Sequence, residues 1–241
     1  MQALEVLDRE IIACRKCSRL VEYREQVGRT KRRAYQNWEY WARPVPGFGD
    51  PKARLLLIGL APGAHGANRT GRMFTGDSSG EFLYRALFET GFASQPSSIA
   101  RDDGLRLRDA YISAAVRCAP PGNKPLPVEI QNCRLYLEQE LEVLENVRVV
   151  VALGRLAFDG YLSILRSQGK IARRSDFAFA HGQEHRMGPG QPLLISSYHP
   201  SQQNTFTGKL TQTMLQAVFR KARRRIEESK RTAQRRPTHQ K

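Results

Sequence analysis

The hydrophobic residues of this chain form four short continuous runs, and each run is followed by a stretch with helical periodicity. The runs span residues 54–60, 110–116, 147–153 and 192–198. Continuous apolar runs of this length are typical of strands that are buried on both faces. The periodic stretches span residues 78–90, 127–144, 154–165 and 210 onward. This alternation predicts an α/β fold, a single domain with a central four-stranded parallel sheet flanked by helices.

The N-terminal segment predicts an amphipathic helix over residues 3–27, with Leu4, Leu7, Ile11 and Ile12 on one face. We expect this helix to be interrupted near a C-x-x-C motif. The segment that follows is rich in Arg, Pro and Gly, and it is predicted to be ordered but irregular.

The chain is strongly basic, since 39 Lys and Arg against 23 Asp and Glu give a formal net charge of +16. Residues 220–241 carry ten Lys or Arg and two Glu, so half of the surplus lies there. Such a surplus favours a polyanionic partner, nucleic acid first, and the alternative is a solvated charge run. Residues 229–241 are predicted to form a basic, disordered tail behind a domain at 1–228. No apolar run approaches the length of a membrane span.

The four cysteines occur as a C-x-x-C pair, Cys14 and Cys17, and a distant pair, Cys118 and Cys133. Two thiolates from each of two segments can form an all-thiolate site, which selects zinc or an iron–sulfur cluster. The alternatives are disulfides or inert thiols. Because no signal peptide opens the sequence and disulfides are rare in reducing compartments, a metal site is the favoured interpretation.

Chemistry in an open parallel sheet is expected in the loops at the carboxyl ends of the strands. The loop after the first run, residues 59–77, is rich in small residues that let backbone N–H groups approach a ligand closely. Phe74 offers a flat apolar face, and Asp77 is the only carboxylate in this loop. The alternatives are a core position for Phe74 and a helix N-cap for Asp77.

Two further loops carry polar candidates. His199 follows the fourth run, where it can donate a hydrogen bond to a bound group, and Asn123 follows the second run. A lone histidine is more often structural, Ser201 can start a turn, and asparagine beside glycine is ordinary turn chemistry. His181 and His185 are spaced like zinc ligands, but no cysteine is near them and we interpret them as loop residues.

Three motifs occur in order along the chain: GLAPGAHGANRTGRMFTGD at 59–77, AAVRCAPPGNKP at 114–125 and SYHPSQQNTFTGKLT at 197–211. Together they resemble the iron–sulfur uracil-DNA glycosylases of bacteria and archaea, most closely the type b group, family 5 of the uracil-DNA glycosylase superfamily. WARPVPGFGDP at 41–51 and VALGR at 151–155 extend the resemblance over nearly the whole chain. The resemblance implies a DNA repair hydrolase that breaks the N-glycosidic bond of a damaged base in DNA.

By this resemblance, the four cysteines would bind a structural [4Fe–4S] cluster that ties the N-terminal helix to the loop after the second strand. The catalytic residues would be His199, donating to the departing base, Asp77, activating water beside the cationic sugar, and Asn123. The flipped base would stack on Phe74. The residues of the base pocket would be Leu60, Ala61, Gly63, Ala64, His65, Phe74 and Ala114. The residues in contact with DNA would be Arg69, Arg72, Lys124, Ser201, Gln202, Gln203 and Asn204.

Two positions depart from the pattern of the related family 4 enzymes. Where those enzymes have an acid in the first motif and an asparagine in the second strand, this chain has Leu60 and Ala114. A pocket without these polar groups rejects analogues weakly. We therefore expect activity on uracil and also on deaminated purines such as hypoxanthine and xanthine.

The resemblance also implies a monomeric enzyme of the prokaryotic cytoplasm, acting on double-stranded or single-stranded DNA and not on membranes. One alternative is a metal-containing nucleic-acid-binding protein without glycosylase activity, and another is a protein of the same fold that only binds abasic or damaged DNA. The first accounts for the charge and the cysteines. It gives no reason for placing Phe74, Asp77 and His199 at strand ends.

Overall fold

Within the described part of the chain, six strands form one sheet. The structure, a computed structural model, describes residues 2–234, with side chains through residue 229. The strands are β1 (Phe48–Gly49), β2 (Leu55–Gly59), β3 (Ala110–Ala114), β4 (Val149–Leu153), β5 (Glu184–His185) and β6 (Leu193–Ser197). Their order across the sheet is β1-β3-β2-β4-β6-β5.

The four central strands confirm the predicted parallel sheet. β2 pairs in parallel with both β3 and β4, and β4 pairs in parallel with β6. The predicted count of four strands is corrected, because β1 and β5 add an antiparallel strand at each edge. Each edge strand is only 2 residues long. A segment that short produces no hydrophobic alternation, so the pattern of the sequence does not reveal it.

The helices follow the predicted alternation. They are α1 (Gln2–Ala13), α2 (Ser18–Thr30), α3 (Ala67–Thr70), α4 (Ser78–Glu89), α5 (Pro127–Val143), α6 (Arg155–Ser167), α7 (Gln202–Phe206) and α8 (Gln212–Gln234). The predicted break at the C-x-x-C motif is confirmed, since residues 14–17 connect α1 to α2. Between residues 2 and 234, none of the helices has the length and apolar character needed to cross a membrane.

The last helix extends further than the sequence pattern indicated. α8 continues to Gln234, so residues 229–234 of the predicted disordered tail are helical. Lys, Arg, Ala and Gln are good helix formers, and a helix anchored upstream can continue through them without an apolar face. The remainder of the predicted tail, 235–241, lies outside the described residues.

The core consists of two apolar layers, one on each face of the sheet. Because successive side chains of a strand point to opposite faces, Leu55 and Leu57 pack on the α4 and α8 side, among residues such as Phe219. Leu56 and Ile58 pack on the other side, with residues of α5 and α6. A third, smaller cluster joins α1 and α2 to the cysteines. The N-terminal helices are therefore part of the folded domain.

A buried ion pair lies between the sheet and α5. Arg117, in the loop after β3, donates to the Glu140 carboxylate, and Ser113 of β3 donates to the same oxygen. Arg117 is 1% exposed and Glu140 is 0% exposed. Burial and the nearby Glu140 charge raise the pKa of Asp8, on α1, to about 6. The Arg117–Glu140 pair ties α5 to the end of β3.

We expect Glu140→Gln to lower the free energy of unfolding by about 3 kcal/mol, because it leaves the buried Arg117 guanidinium without its counter-charge. Glu138→Gln is the matched control, since Glu138 forms an i,i+4 pair with Arg134 on the same helix, and should cost less than about 1 kcal/mol. Urea unfolding at neutral pH measures both values. Equal, small losses would show that the buried pair does not hold α5 in place.

Candidate active site

A cleft of about 710 Å³ opens at the carboxyl ends of the central strands, where the topology predicts the site. Its walls come from the loops after β2, β3 and β6, together with residues of the segment after α2. Most of the predicted site residues line it: Leu60, Ala61, Gly63, Ala64, His65, Phe74, Asp77, Ala114, Asn123, His199, Ser201, Gln202 and Gln203. The structure therefore brings the three predicted catalytic side chains to one cavity.

The turn that begins the first loop is shaped by glycines. A Cβ atom on Gly66 would lie 1.9 Å from Oδ2 of Asp77, and one on Gly63 would lie 2.8 Å from the same oxygen. Both distances are too short for a side chain, so the carboxylate lies directly against the backbone of this turn. Glycine at these positions is what allows Asp77 to reach the floor of the cleft.

Asp77 has a structural role and also faces the cleft. Its Oδ1 accepts a hydrogen bond of 2.9 Å from the backbone N–H of Gly80, so it caps α4, as the structural alternative predicted. Its Oδ2 is the oxygen that lies against Gly63 and Gly66. Burial raises the pKa of the Asp77 carboxyl, and the backbone hydrogen bonds and the charge of Arg69 oppose that rise. A carboxylate in this setting is a competent proton acceptor.

Phe74 and His199 form the opposite, aromatic side of the cleft. Their ring centroids are 5.8 Å apart, at an interplanar angle of 33°. The Phe74 ring lies over Gly59, where a Cβ would come within 2.8 Å of Cε2. Phe74 also packs against the core, so the core alternative holds, and its stacking on a base stays a prediction. An aromatic face next to a hydrogen-bonding ring suits a planar heterocyclic ligand.

His199 is held from two directions. Gly154 has φ +96°, and a Cβ atom added to it would lie 3.2 Å from the Cβ of His199. The side-chain amide of Asn204 donates to the His199 carbonyl at 2.9 Å. Burial lowers the pKa of His199 to about 4. The imidazole is therefore neutral at physiological pH and can act as a hydrogen-bond donor through one ring nitrogen.

The loop that carries Asn123 is fastened to α2. Asn123 adopts a left-handed conformation with φ +57°, which asparagine tolerates better than most residues. Arg19 donates to the Lys124 carbonyl at 3.2 Å, and its guanidinium makes two hydrogen bonds of 2.7 Å to the Glu129 carboxylate. Arg19 lies two residues after the C-x-x-C motif, so the N-terminal arm formed by α1 and α2 fastens the loop that carries Asn123.

Two predicted DNA contacts are corrected by the structure. Arg69 and Arg72 are each 3% exposed, so neither guanidinium is presented to a ligand on the surface. Arg72 forms a bidentate ion pair with Asp103, at 2.8 and 2.7 Å, and donates to Thr75. A loop with many glycines needs internal donors for its carbonyls, and arginines meet that need. Arginine in a basic sequence does not by itself indicate a surface position.

The other predicted DNA contacts surround the cleft or support it. Lys124 is exposed beside it. Ser201, which lines the cleft, also caps α7 by accepting from the Asn204 backbone at 3.4 Å, so the structural alternative for Ser201 holds as well. Phe206, at the end of α7, is 79% exposed. An exposed aromatic side chain on this short helix provides an apolar tip next to the cleft.

Three residues of the cleft come from the N-terminal segment, which the sequence interpretation did not connect with the site. Tyr23, on α2, and Arg32 and Tyr35, just after it, line the cavity. The signal for Arg32 and Tyr35 is the interleaving of basic and aromatic residues between positions 31 and 41, which is typical of nucleic-acid contacts. A second contact joins this segment to the site, where the Tyr40 hydroxyl lies 3.1 Å from Nδ1 of His65.

The four cysteines border a separate small cavity between α1, α2, α5 and the loop after β3. Hydrogen-bond donors surround their sulfur atoms. Arg24, 2% exposed, donates to Cys118 at 2.8 Å. The backbone N–H of Arg117 donates to Cys133 at 3.3 Å, and the amide of Asn132 donates to Cys17 at 3.4 Å. The cavity is otherwise surrounded by apolar side chains, and those of the cluster around it are Leu7, Ile11, Leu20, Val116 and Tyr136.

The geometry does not bring the sulfur atoms to a single point. In the residues that the structure describes, no group of three or more His, Cys, Asp or Glu side chains is arranged to hold a metal ion. His181 and His185 do not form such a site either. The His181 ring stacks on Tyr198, and His185 is a buried residue of β5 that packs against Phe158.

Comparisons with known proteins agree with this arrangement. The family model of the uracil DNA glycosylase superfamily matches residues 46–223. The chain is 53% identical to the type-5 uracil-DNA glycosylase of Thermus thermophilus over 223 residues, 90% of this chain and 98% of that protein. It is 49% identical to the type-5 enzyme of Mycobacterium tuberculosis over 215 residues, 89% and 78% of the two chains. A type-4 enzyme, from Archaeoglobus fulgidus, is 33% identical over 180 residues, 71% and 73% of the two chains.

The cap at α4 yields a stability prediction. We expect Asp77→Ala to lower the free energy of unfolding by about 1 kcal/mol, because alanine cannot accept from the Gly80 N–H, whereas Asp77→Asn keeps the cap.

The Asp77→Asn substitution also removes a buried charge. The folded-state pKa of Asp77 lies above the ordinary value of 3.8. The charge therefore begins to destabilise the native protein as pH rises above 3.8, and its full effect is present above the folded-state pKa. Asp77→Asn should therefore match the wild type in acid and exceed it at neutral pH.

Urea unfolding of the wild type and both variants, in acid and at neutral pH, measures these differences. If Asp77→Ala is as stable as Asp77→Asn, the hydrogen bond to Gly80 does not contribute to the stability of α4.

Proposed function

This chain belongs to the uracil DNA glycosylase superfamily, and we propose that it is a DNA-repair enzyme whose cleft receives a flipped uracil and hydrolyses its N-glycosidic bond. The observation that carries the proposal is the meeting of Phe74, Asp77 and His199 in one cavity at the carboxyl edge of the sheet. A base inside a duplex cannot be reached by side chains, so the nucleotide has to leave the stack. The products are free uracil and an abasic site in DNA.

The cleft offers the two surfaces that a pyrimidine requires. The Phe74 ring, whose orientation is fixed by its close approach to Gly59, provides a stacking face. The backbone around Ala61 to His65 provides N–H groups for the carbonyl oxygens of the base, and Gly63 permits the close approach. This pairing of one apolar face with a few fixed donors is the usual construction of a small-molecule pocket.

His199 is placed to stabilise the departing base. When the glycosidic bond breaks, its electron pair stays with uracil, which becomes an anion with charge on its carbonyl oxygens. The His199 imidazole is neutral because its pKa is about 4. It donates its N–H to that oxygen, and no positive charge has to be buried in the cleft. Because Gly154 and Asn204 fix the residue in advance, the donor does not need to reorganise during the reaction.

Asp77 acts on the other side of the breaking bond. The deoxyribose gains cationic character, and a carboxylate nearby stabilises it and accepts a proton from the attacking water. The water oxygen then bonds to C1′ as the bond to nitrogen breaks. The buried carboxyl of Asp77 has a raised pKa, which brings it closer to the pH at which it must take up a proton. Asn123, on the facing loop, adds a polar group for water or base.

The substrate range follows from two apolar positions in the cleft. Leu60 and Ala114 line it, and neither can donate to or accept from a base. Discrimination between bases depends on hydrogen-bonding groups that a wrong base leaves unpaired. We therefore extend the proposal to hypoxanthine and xanthine as further substrates.

The rim of the cleft is the surface that would contact DNA. Gln202 and Gln203 of α7 line it, with Lys124 and Arg32 nearby. Phe206, 79% exposed, is available to enter the base stack beside the extruded nucleotide, as apolar wedges do in other DNA-bending proteins. Action on duplex or single-stranded DNA, a monomeric state and a cytoplasmic location belong to this proposal.

The proposal includes a [4Fe–4S] cluster bound by Cys14, Cys17, Cys118 and Cys133. The donor set fits, because four sulfur atoms border one cavity and several N–H groups point at them, including the buried guanidinium of Arg24. Hydrogen bonds to sulfur and an apolar surround are typical of such sites. Sulfur atoms spread around a cavity suit a multi-iron cluster better than one zinc ion, whose four sulfurs lie about 2.3 Å from the metal. The cluster would stabilise the fold and take no part in the hydrolysis.

A glycosylase assay tests the function. The purified protein is incubated with duplexes that contain one uracil, hypoxanthine or xanthine, and abasic sites are then cleaved with alkali. We expect strand breaks at uracil and at both purines, and a loss of about a hundredfold or more in rate for His199→Ala. Asp77→Asn should be similarly impaired although it keeps the helix cap, so its activity separates chemistry from stability.

Strand breaks that occur only at uracil would contradict the proposed activity on hypoxanthine and xanthine. Intact DNA in every case, with specific binding preserved, would favour a binding protein without glycosylase activity.

Metal analysis tests the cofactor. The protein, purified under anaerobic conditions, should contain iron and acid-labile sulfide in equal amounts and absorb visible light. Cys118→Ser should lose both and be less stable, because part of the folding free energy comes from ligation. Asn132→Ala is the control, since it removes a donor to Cys17 but no ligand. Zinc in place of iron, or full iron content in Cys118→Ser, would contradict the proposal.

A further inference from the structure

Arg69, on the short helix α3, has its charge inside the protein rather than on the DNA surface. Its guanidinium contacts two aromatic rings, 4.0 Å from the centroid of Tyr35 and 4.0 Å from that of Trp38. The two rings are nearly perpendicular, with an interplanar angle of 83°, so the guanidinium lies in the corner between them. Tyr35 itself lines the cleft. Cation–π attraction favours this position, and the contact joins the first loop of the site to the basic segment that follows α2.

The same guanidinium closes the loop on itself. Its Nε donates to the carbonyl of His65 at 2.8 Å, and its Nη2 donates to the carbonyl of Gly76 at 2.8 Å. His65 ends the turn that faces the base, and Gly76 directly precedes Asp77. A Cβ atom on Gly76, which has φ +81°, would lie 2.4 Å from the Nη2 of Arg69. The absence of a side chain at this position is what lets the guanidinium reach the carbonyl.

We propose that Arg69 is a positioning residue for uracil excision, which fixes the base-binding turn at His65 and the Asp77 carboxylate relative to each other. The inference rests on the proposed role of Asp77. A guanidinium has several donors in a fixed plane, so it can donate to two divergent carbonyls while it contacts both rings. Lysine keeps the charge but has neither the fork nor the flat face.

The charge of Arg69 acts on both sides of the pocket as well. At Asp77 it favours the ionised carboxylate and opposes the effect of burial, with Glu81 the other charge that bears on this group. At His65 it disfavours the imidazolium, so that burial and the charges of Arg32 and Arg69 lower the pKa. Arg69 therefore favours the ionised form of Asp77 and the neutral form of His65.

Steady-state kinetics on uracil-containing duplex tests the positioning. Arg69→Met removes fork and charge, and Arg69→Lys removes the fork alone. Arg225→Met is the matched control, because it removes the same unit of charge. Arg225 donates to both Glu184 and Glu228 and does not line the cleft. We expect kcat to fall by about a hundredfold in Arg69→Met, because small misplacements of reacting groups have effects of that size. KM should change much less, and the control should keep the wild-type kcat.

Two pH measurements separate positioning from simple stabilisation. In Arg69→Met the acid limb of the kcat profile should move to higher pH, since Asp77 loses the charge that lowers its pKa. In Arg69→Lys the limb should stay close to that of the wild type while kcat is reduced. NMR titration of His65 should show a raised pKa in Arg69→Met only, and this measurement does not depend on catalysis.

A kcat for both Arg69 variants within about twofold of the wild type would overturn the proposal, as would an unchanged His65 pKa in folded Arg69→Met. If Arg69→Met does not fold, Arg69→Lys decides through its kcat. A wild-type protein without glycosylase activity would instead refute the proposed function. The His65 titration would then still show whether Arg69 is coupled to this side of the cleft.

Discussion

Two arginines inside the loop between β2 and α4 are the constraint on which the site depends. The loop is long, rich in glycine and without regular structure over most of its length, so its carbonyl groups need side-chain donors. Arg69 donates to the carbonyls of His65 and Gly76, and Arg72 ties the loop to Asp103. These buried guanidiniums fix the shape of the backbone that borders the cleft.

The placement of the proposed catalytic groups follows from this loop and from the topology of the sheet. Parallel strands bring the loops after β2, β3 and β6 to one edge, so side chains distant in sequence meet there. Asp77 shows how closely structure and chemistry are combined. One carboxylate oxygen caps α4 while the other lies against Gly66. The helix thereby fixes the direction of the group that would act on the sugar.

The sequence predicts much of this architecture, and the failures have physical causes. Continuous apolar runs identify the four central strands because each is buried on both faces, whereas β1 and β5 are too short to show any period. The loops of the cleft are found because they follow strand ends, and the resemblance carried by the three motifs supplies the individual residues. Arg69 and Arg72 are misassigned because a residue's charge does not report its burial. Tyr23 is missed because only the packing of α2 against the loops brings it to the cleft.

The arm formed by α1 and α2 is tied to the far side of the domain by side-chain contacts that are remote in sequence. Arg24 donates to Cys118, and Arg19 binds the Glu129 carboxylate. Loop closure over such distances is slow. When the denatured chain refolds, we therefore expect the arm with its two cysteines to dock late, on a domain whose sheet has already formed.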